Sequence, residues 1–157
     1  MLEFWGAVSG LPPAALIRDS GTAYLLVNAT HILSLGYLLG NIITLDLRLM
    51  GFHRAASLSE LGPILSRGAA VGLGMAILTG AWLFSVDPPA YLDNPAFLTK
   101  LCLVALGVIN AVWLHRRGRW ETALTTGYAD VSVRVHACVS LGCWVGAVLA
   151  GRWIGFL

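Results

Sequence analysis

Four histidines, His31, His53, His115 and His136, are the side chains of this chain best equipped for chemistry. Imidazole changes charge near neutral pH, and it binds Zn, Cu or haem iron through one ring nitrogen. No HExxH, CxxCH or clustered Cys/His spacing accompanies them, so no short motif selects a metal. Cys102, Cys138 and Cys143 form an odd set without a CxxC pair, and they read as buried apolar thiols. An acid–base pair, Asp46 and Arg48, closes the first long apolar stretch. There is no Gly-rich phosphate loop, Ser nucleophile elbow or carboxylate pair placed for hydrolysis. An enzyme acting by itself is therefore the least supported class.

The elements that must position these groups are membrane spans. Hydrophobic residues make up 57% of the 157 and charged residues 11%, with a mean hydropathy of +0.77. An ordinary soluble domain carries roughly 25% charged residues. The stretch Tyr24 to Met50 is long and apolar enough to cross a hydrocarbon core about 30 Å thick. It nevertheless carries Asn28, His31, Ser34 and Asn41 along one drifting helical stripe, opposite Gly36 and Gly40. An ionisable group at membrane depth is a functional-site hypothesis by default.

Three further spans complete an all-α, four-helix transmembrane bundle, a single domain with spans at about 22–47, 63–84, 96–115 and 131–154. Residues 1–20 lack a basic start and contain Pro12-Pro13, so they read as a retained interfacial segment with Phe4 and Trp5 rather than a signal peptide. Ser57 and Glu60 match a capping box, and Pro63 suits a first helical turn. Asn94-Pro95 reads as a cap followed by a first-turn proline, and Lys100 lies near enough to that start to snorkel outward. Asn110 lies inside the third span. In the fourth, Ser132, His136, Ser140 and Cys143 share a face. The pairs Gly36/Gly40 and Gly142/Gly146 predict close packing of the first and fourth spans.

Arg48, Arg54, Arg67, Arg116, Arg117, Arg119 and Arg134 fall on one side of the bundle, against Arg18, Lys100 and Arg152 on the other. The basic side is thus expected in the cytoplasm, with both termini periplasmic. A net charge of +2 is too small to point to nucleic acid. Depth sorts the histidines. At about 1.5 Å per residue, His31 lies roughly 13 Å below the outer end of its span. His115 and His136 both lie near the cytoplasmic side, with His53 in reach as a substitute, so a haem or metal, if one is bound, is expected there, and His31 belongs to a second site or an interior hydrogen-bond network.

The chain resembles a family of small, uncharacterised four-helix bacterial inner-membrane proteins over nearly its whole length. The likeness rests on a histidine early in the first span, DLRLMG (Asp46 to Gly51), NPAFLTK (Asn94 to Lys100), and Asn110 with His115. SLGCW (Ser140 to Trp144) and AGRWIGF (Ala150 to Phe156) complete it. The resemblance implies a topology and an inner-membrane location, and no activity. A looser likeness to four-helix b-type cytochromes rests on histidines in a small helical bundle.

Three functions are therefore in view. One is electron transfer, to or from quinone or another redox partner, through haem b with histidine axial ligands. Another is a non-catalytic membrane subunit or assembly factor, in a larger complex or a homo-oligomer. The third is a small transporter or metal-handling protein that uses the polar interior.

Overall fold

A computed structural model describes residues 12–52, 55, 57–116 and 118–156. The chain runs α1 (Pro12–Asp19), α2 (Gly21–Met50), α3 (Leu58–Phe84), α4 (Pro88–Leu92), α5 (Pro95–Arg116), α6 (Arg119–Thr126) and α7 (Val131–Trp153), then a 3-10 turn over Ile154–Phe156. The helices α2, α3, α5 and α7 are each long and apolar enough to cross a membrane. Leu33, Leu78 and Leu149 are exposed on them, a surface suited to lipid rather than water. The protein is a multi-pass membrane protein.

Local chemistry sets the ends of these helices. Ser20 accepts a hydrogen bond from the Ala23 amide at 3.3 Å and starts α2. Gly51 ends it in the left-handed region (φ 103°), where the Gly51 and Phe52 amides bond back to the Arg48 and Leu47 carbonyls. The Asn94 side chain caps α5 as expected, accepting from the Ala96 and Phe97 amides at 3.0 and 3.2 Å. Asp130 caps α7 through the Val133 amide at 2.7 Å.

Some expectations shift. Helix α3 begins at Leu58, so Pro63 lies inside it rather than in its first turn. Ser57 is the residue before that helix, but its hydroxyl pairs with Ser59 at 2.8 Å and makes no cap bond. Pro12-Pro13 open the short helix α1 instead of breaking a run. Phe4 and Trp5 lie outside the described residues.

The bundle is assembled from helix pairs. Helix α2 packs along α3, α5 packs along α7, and α2 and α7 join the two pairs. Between α3 and α5 the contact is made by side chains: Phe84 stacks on Phe97 at 5.6 Å at one end, and Ser66 meets His115 at the other. The middle is filled by Leu38, Ile42, Ala69 and Trp144, with Leu73, Val104 and Val108 against them. The basic end is filled by a second cluster that includes Leu45, Leu49, Leu114, Trp120 and Val133. Here α6 folds back under α3, and Leu124 and Trp120 press on Gly62.

The close helix contact is not where the glycine spacing places it. Among the described residues nothing lies within 4 Å of where a Cβ would stand at Gly36, Gly40 or Gly142, and Gly146 meets Leu103 of α5. The near approach is between α2 and α3, along a row of small residues four apart: Gly68, Gly72, Ala76 and Gly80. A Cβ at Gly72 would lie 2.8 Å from the Leu38 backbone nitrogen, one at Gly68 2.5 Å from Asn41 Oδ1, and one at Gly80 3.1 Å from His31 Cε1. Small side chains let two backbones approach in lipid, where apolar burial between helices supplies little.

Candidate functional site

Helix α2 carries the polar stripe, and most of it is satisfied locally. The Ser34 hydroxyl donates to the Thr30 carbonyl at 2.7 Å, and the Asn41 amide donates to the Tyr37 carbonyl at 2.7 Å. A hydroxyl or amide can return a hydrogen to the carbonyl one turn back, which meets one of its donors within its own helix. Asn28 lies half-buried on the same helix.

His31 reaches across to α3. Thr79 donates its own hydroxyl hydrogen to the Met75 carbonyl at 2.7 Å. Its oxygen therefore accepts from His31 Nδ1, 2.8 Å away. The imidazole fits here because Gly80 leaves room for the ring edge. Lys100 of α5 lies over the Phe97 ring, with Nζ 4.8 Å from the centroid, and its stem passes Gly151 of α7.

His136 and Asn110 form a second cross-link, between α7 and α5. The Asn110 amide donates to the His136 carbonyl at 2.9 Å. That contact orients the side-chain amide, so Asn110 Oδ1 accepts from His136 Nδ1 at 2.7 Å. His115 gives a third link. Its Nδ1 donates to the Ala111 carbonyl at 2.8 Å, its Nε2 lies 3.3 Å from the Ser66 hydroxyl, and its ring rests 4.7 Å from that of Trp120. His53 lies outside the described residues.

The three described histidines thus bridge different helix pairs. The Nε2 of His115 faces α3, whereas His136 is turned onto α5. Two shallow surface grooves, one at Pro12, Pro13, Leu16 and Trp82 and one along α5, contain no imidazole. Among the described residues no group of three or more His, Cys, Asp or Glu side chains could hold a metal ion. The arrangement lends haem b no positive support.

Asp46 is different. It is 5% exposed, its Oδ2 has no hydrogen-bond partner among the described residues, and the Ser140 hydroxyl of α7 is its hydrogen-bonding neighbour. Unlike Ser34 and Asn41, an ionised carboxylate has no hydrogen to return to its own helix. Arg48 is also buried, at 9% exposure. Two residues along a helix put its side chain about 200° round from Asp46. The acid and the base, two positions apart, are thus directed to different sides of the helix. Ser140 and Cys143 are both buried on α7, as the shared face predicts, while Ser132 at the end of that face receives the Arg119 guanidinium.

No family model, characterised protein or solved structure matches this chain.

Sequence reasoning missed Thr79, Ser66 and Gly80 as partners of histidines. The small-residue row on α3 was the available signal, since it marks the face that another helix must approach. Nothing in the local sequence pairs Ser66 with His115, 49 positions away.

Proposed function

We propose that this protein handles a proton or a small monovalent cation in the membrane, as a compact transporter-type protein with Asp46 as the binding group. The observation that carries this reading is the buried Asp46 Oδ2, which has no hydrogen-bond partner among the described residues. A carboxylate withdrawn from water with a lone-pair position unfilled is strongly disfavoured, and it gains most by taking up a proton or a cation. Carboxylates at membrane depth are characteristic of ion pathways and proton relays. Ser140 supplies a neutral hydroxyl beside it, able to donate to the carboxylate or turn its oxygen toward a bound cation. His31 and Lys100 lie nearer the other end of the bundle, with His31 roughly 22 Å from Asp46 along α2. The basic end, which holds Asp46, faces the cytoplasm in this reading, and the membrane is the bacterial inner membrane.

Reconstituted vesicles enclosing a pH-sensitive dye test the proposal under an imposed potassium-diffusion potential, with and without sodium. Proton or sodium-dependent flux should be present in the parent and lost in Asp46→Asn. Equal flux in parent and variant would overturn it.

A second reading is favoured by a different observation. Gly36 and Gly40 stand open on the lipid face of α2, which suits the docking surface of a membrane subunit or homo-oligomer. Cross-linking in native membranes separates this reading, since it requires a stable partner at that face. Haem b is the reading that an absorption spectrum of the mild-detergent extract decides, and a Soret band would reverse this order.

A further inference from the structure

Helix α5 presents a groove of about 410 Å³ lined by Val108, Ile109, Val112, Trp113 and Arg116. Four of the five are apolar or aromatic. The fifth, Arg116, is an exposed guanidinium at the helix end with no ion pair to a carboxylate among the described residues. Trp113 is half-exposed one turn earlier, at the depth where indole rings settle between headgroups and acyl chains. From Val108 to Arg116 the groove runs roughly 12 Å along the helix axis. One leaflet of hydrocarbon is about 15 Å deep, so the groove has the length of a single acyl chain in that leaflet.

The geometry points to a site for one anionic phospholipid, with its phosphodiester on Arg116 and one acyl chain lying along Val108 and Val112. Charge complementarity selects the class of lipid. A guanidinium binds a phosphate oxygen pair in a fixed fork, and without a neighbouring carboxylate it favours a headgroup of net negative charge over a zwitterion. The apolar walls supply no polar partner for a headgroup buried deeper. The lipid is therefore held with its head at the basic end and its tail toward the bilayer centre.

The test uses the whole protein in mild detergent, titrated with phosphatidylglycerol or phosphatidylcholine, with retained lipid counted by native mass spectrometry. One phosphatidylglycerol should be held in preference to phosphatidylcholine. Arg116→Gln should weaken its retention about fivefold, the usual effect of one basic side chain at a lipid surface. Val112→Trp, which fills the groove while leaving the charge, should weaken it to a similar extent. Arg119→Gln, on the same side but outside the groove, should leave it unchanged. Equal retention of both lipids, or parental retention in either groove variant, would overturn the site. So would an Arg119→Gln loss as large as that of Arg116→Gln, because the attraction would then belong to the basic end as a whole.

Discussion

Asn110 and His136 hold each other twice across the α5–α7 contact, once through the His136 carbonyl at 2.9 Å and once through its ring at 2.7 Å. One side-chain amide thus meets a main-chain acceptor and fixes the orientation of an imidazole. Asn110→Leu should leave the ring nitrogen and the carbonyl's extra contact unmet. A cost of about 1–2 kcal/mol is expected, the scale of hydrogen bonds between helices in lipid. It should appear as a lower thermal midpoint in detergent, and an unchanged midpoint would show that the clamp contributes nothing.

Gly72 and Gly36 make opposite predictions. A Cβ at Gly72 would meet the Leu38 backbone at 2.8 Å, and backbone cannot turn aside. Gly72→Ala should therefore cost about 1–3 kcal/mol through overpacking. Gly36→Ala has open space and should stay within about 0.5 kcal/mol of the parent. Parallel melting curves check the pair, and reversal of the order would place the close helix contact elsewhere.

Asp46→Leu should raise stability while abolishing the proposed ion handling. Removing a buried carboxylate whose Oδ2 has no partner among the described residues, and filling its place with an apolar side chain, relieves a desolvation cost of about 1–3 kcal/mol. A structural Asp46 would behave in the opposite way, and Asp46→Leu would then melt below the parent. Measuring melting and vesicle flux on the same preparations distinguishes the two roles.

Orientation has its own test. With the basic loops cytoplasmic, a phosphatase reporter fused after Arg119 should be inactive, and one fused after Asp87, in the opposite loop, should be active. The reverse pattern would place Asp46 near the outer face.

The helices and most of their ends could be read before the fold was known, because they depend on short stretches of chain. Asn94 accepts from the two amides just after it, whatever surrounds it. The Asp46/Arg48 pair could not be read in that way. Two positions apart in sequence, the two leave the helix on different sides, and the hydroxyl beside Asp46 belongs to Ser140 of another helix. Likewise, similar depth in the bundle says nothing about which way the His115 and His136 rings turn, one toward Ser66 and the other toward Asn110.

What the sequence determined by itself was the solvent and the unit of structure. Apolar runs long enough to span hydrocarbon must satisfy every backbone group internally, so they become helices. That conclusion needs no knowledge of neighbours. The tertiary structure alone decided which faces meet, and with them which polar groups are satisfied. A Gly-xxx-Gly spacing states that a close approach is sterically allowed, and Gly36 and Gly40 possess that permission without using it among the described residues. Gly68 and Gly72 use it, because Asn41 and Leu38 pack against their side of α3. In lipid, apolar faces are nearly equivalent to one another, so helix pairing rests on detailed shape and hydrogen bonding between distant segments. The same pairing leaves Asp46 Oδ2 without a partner among the described residues.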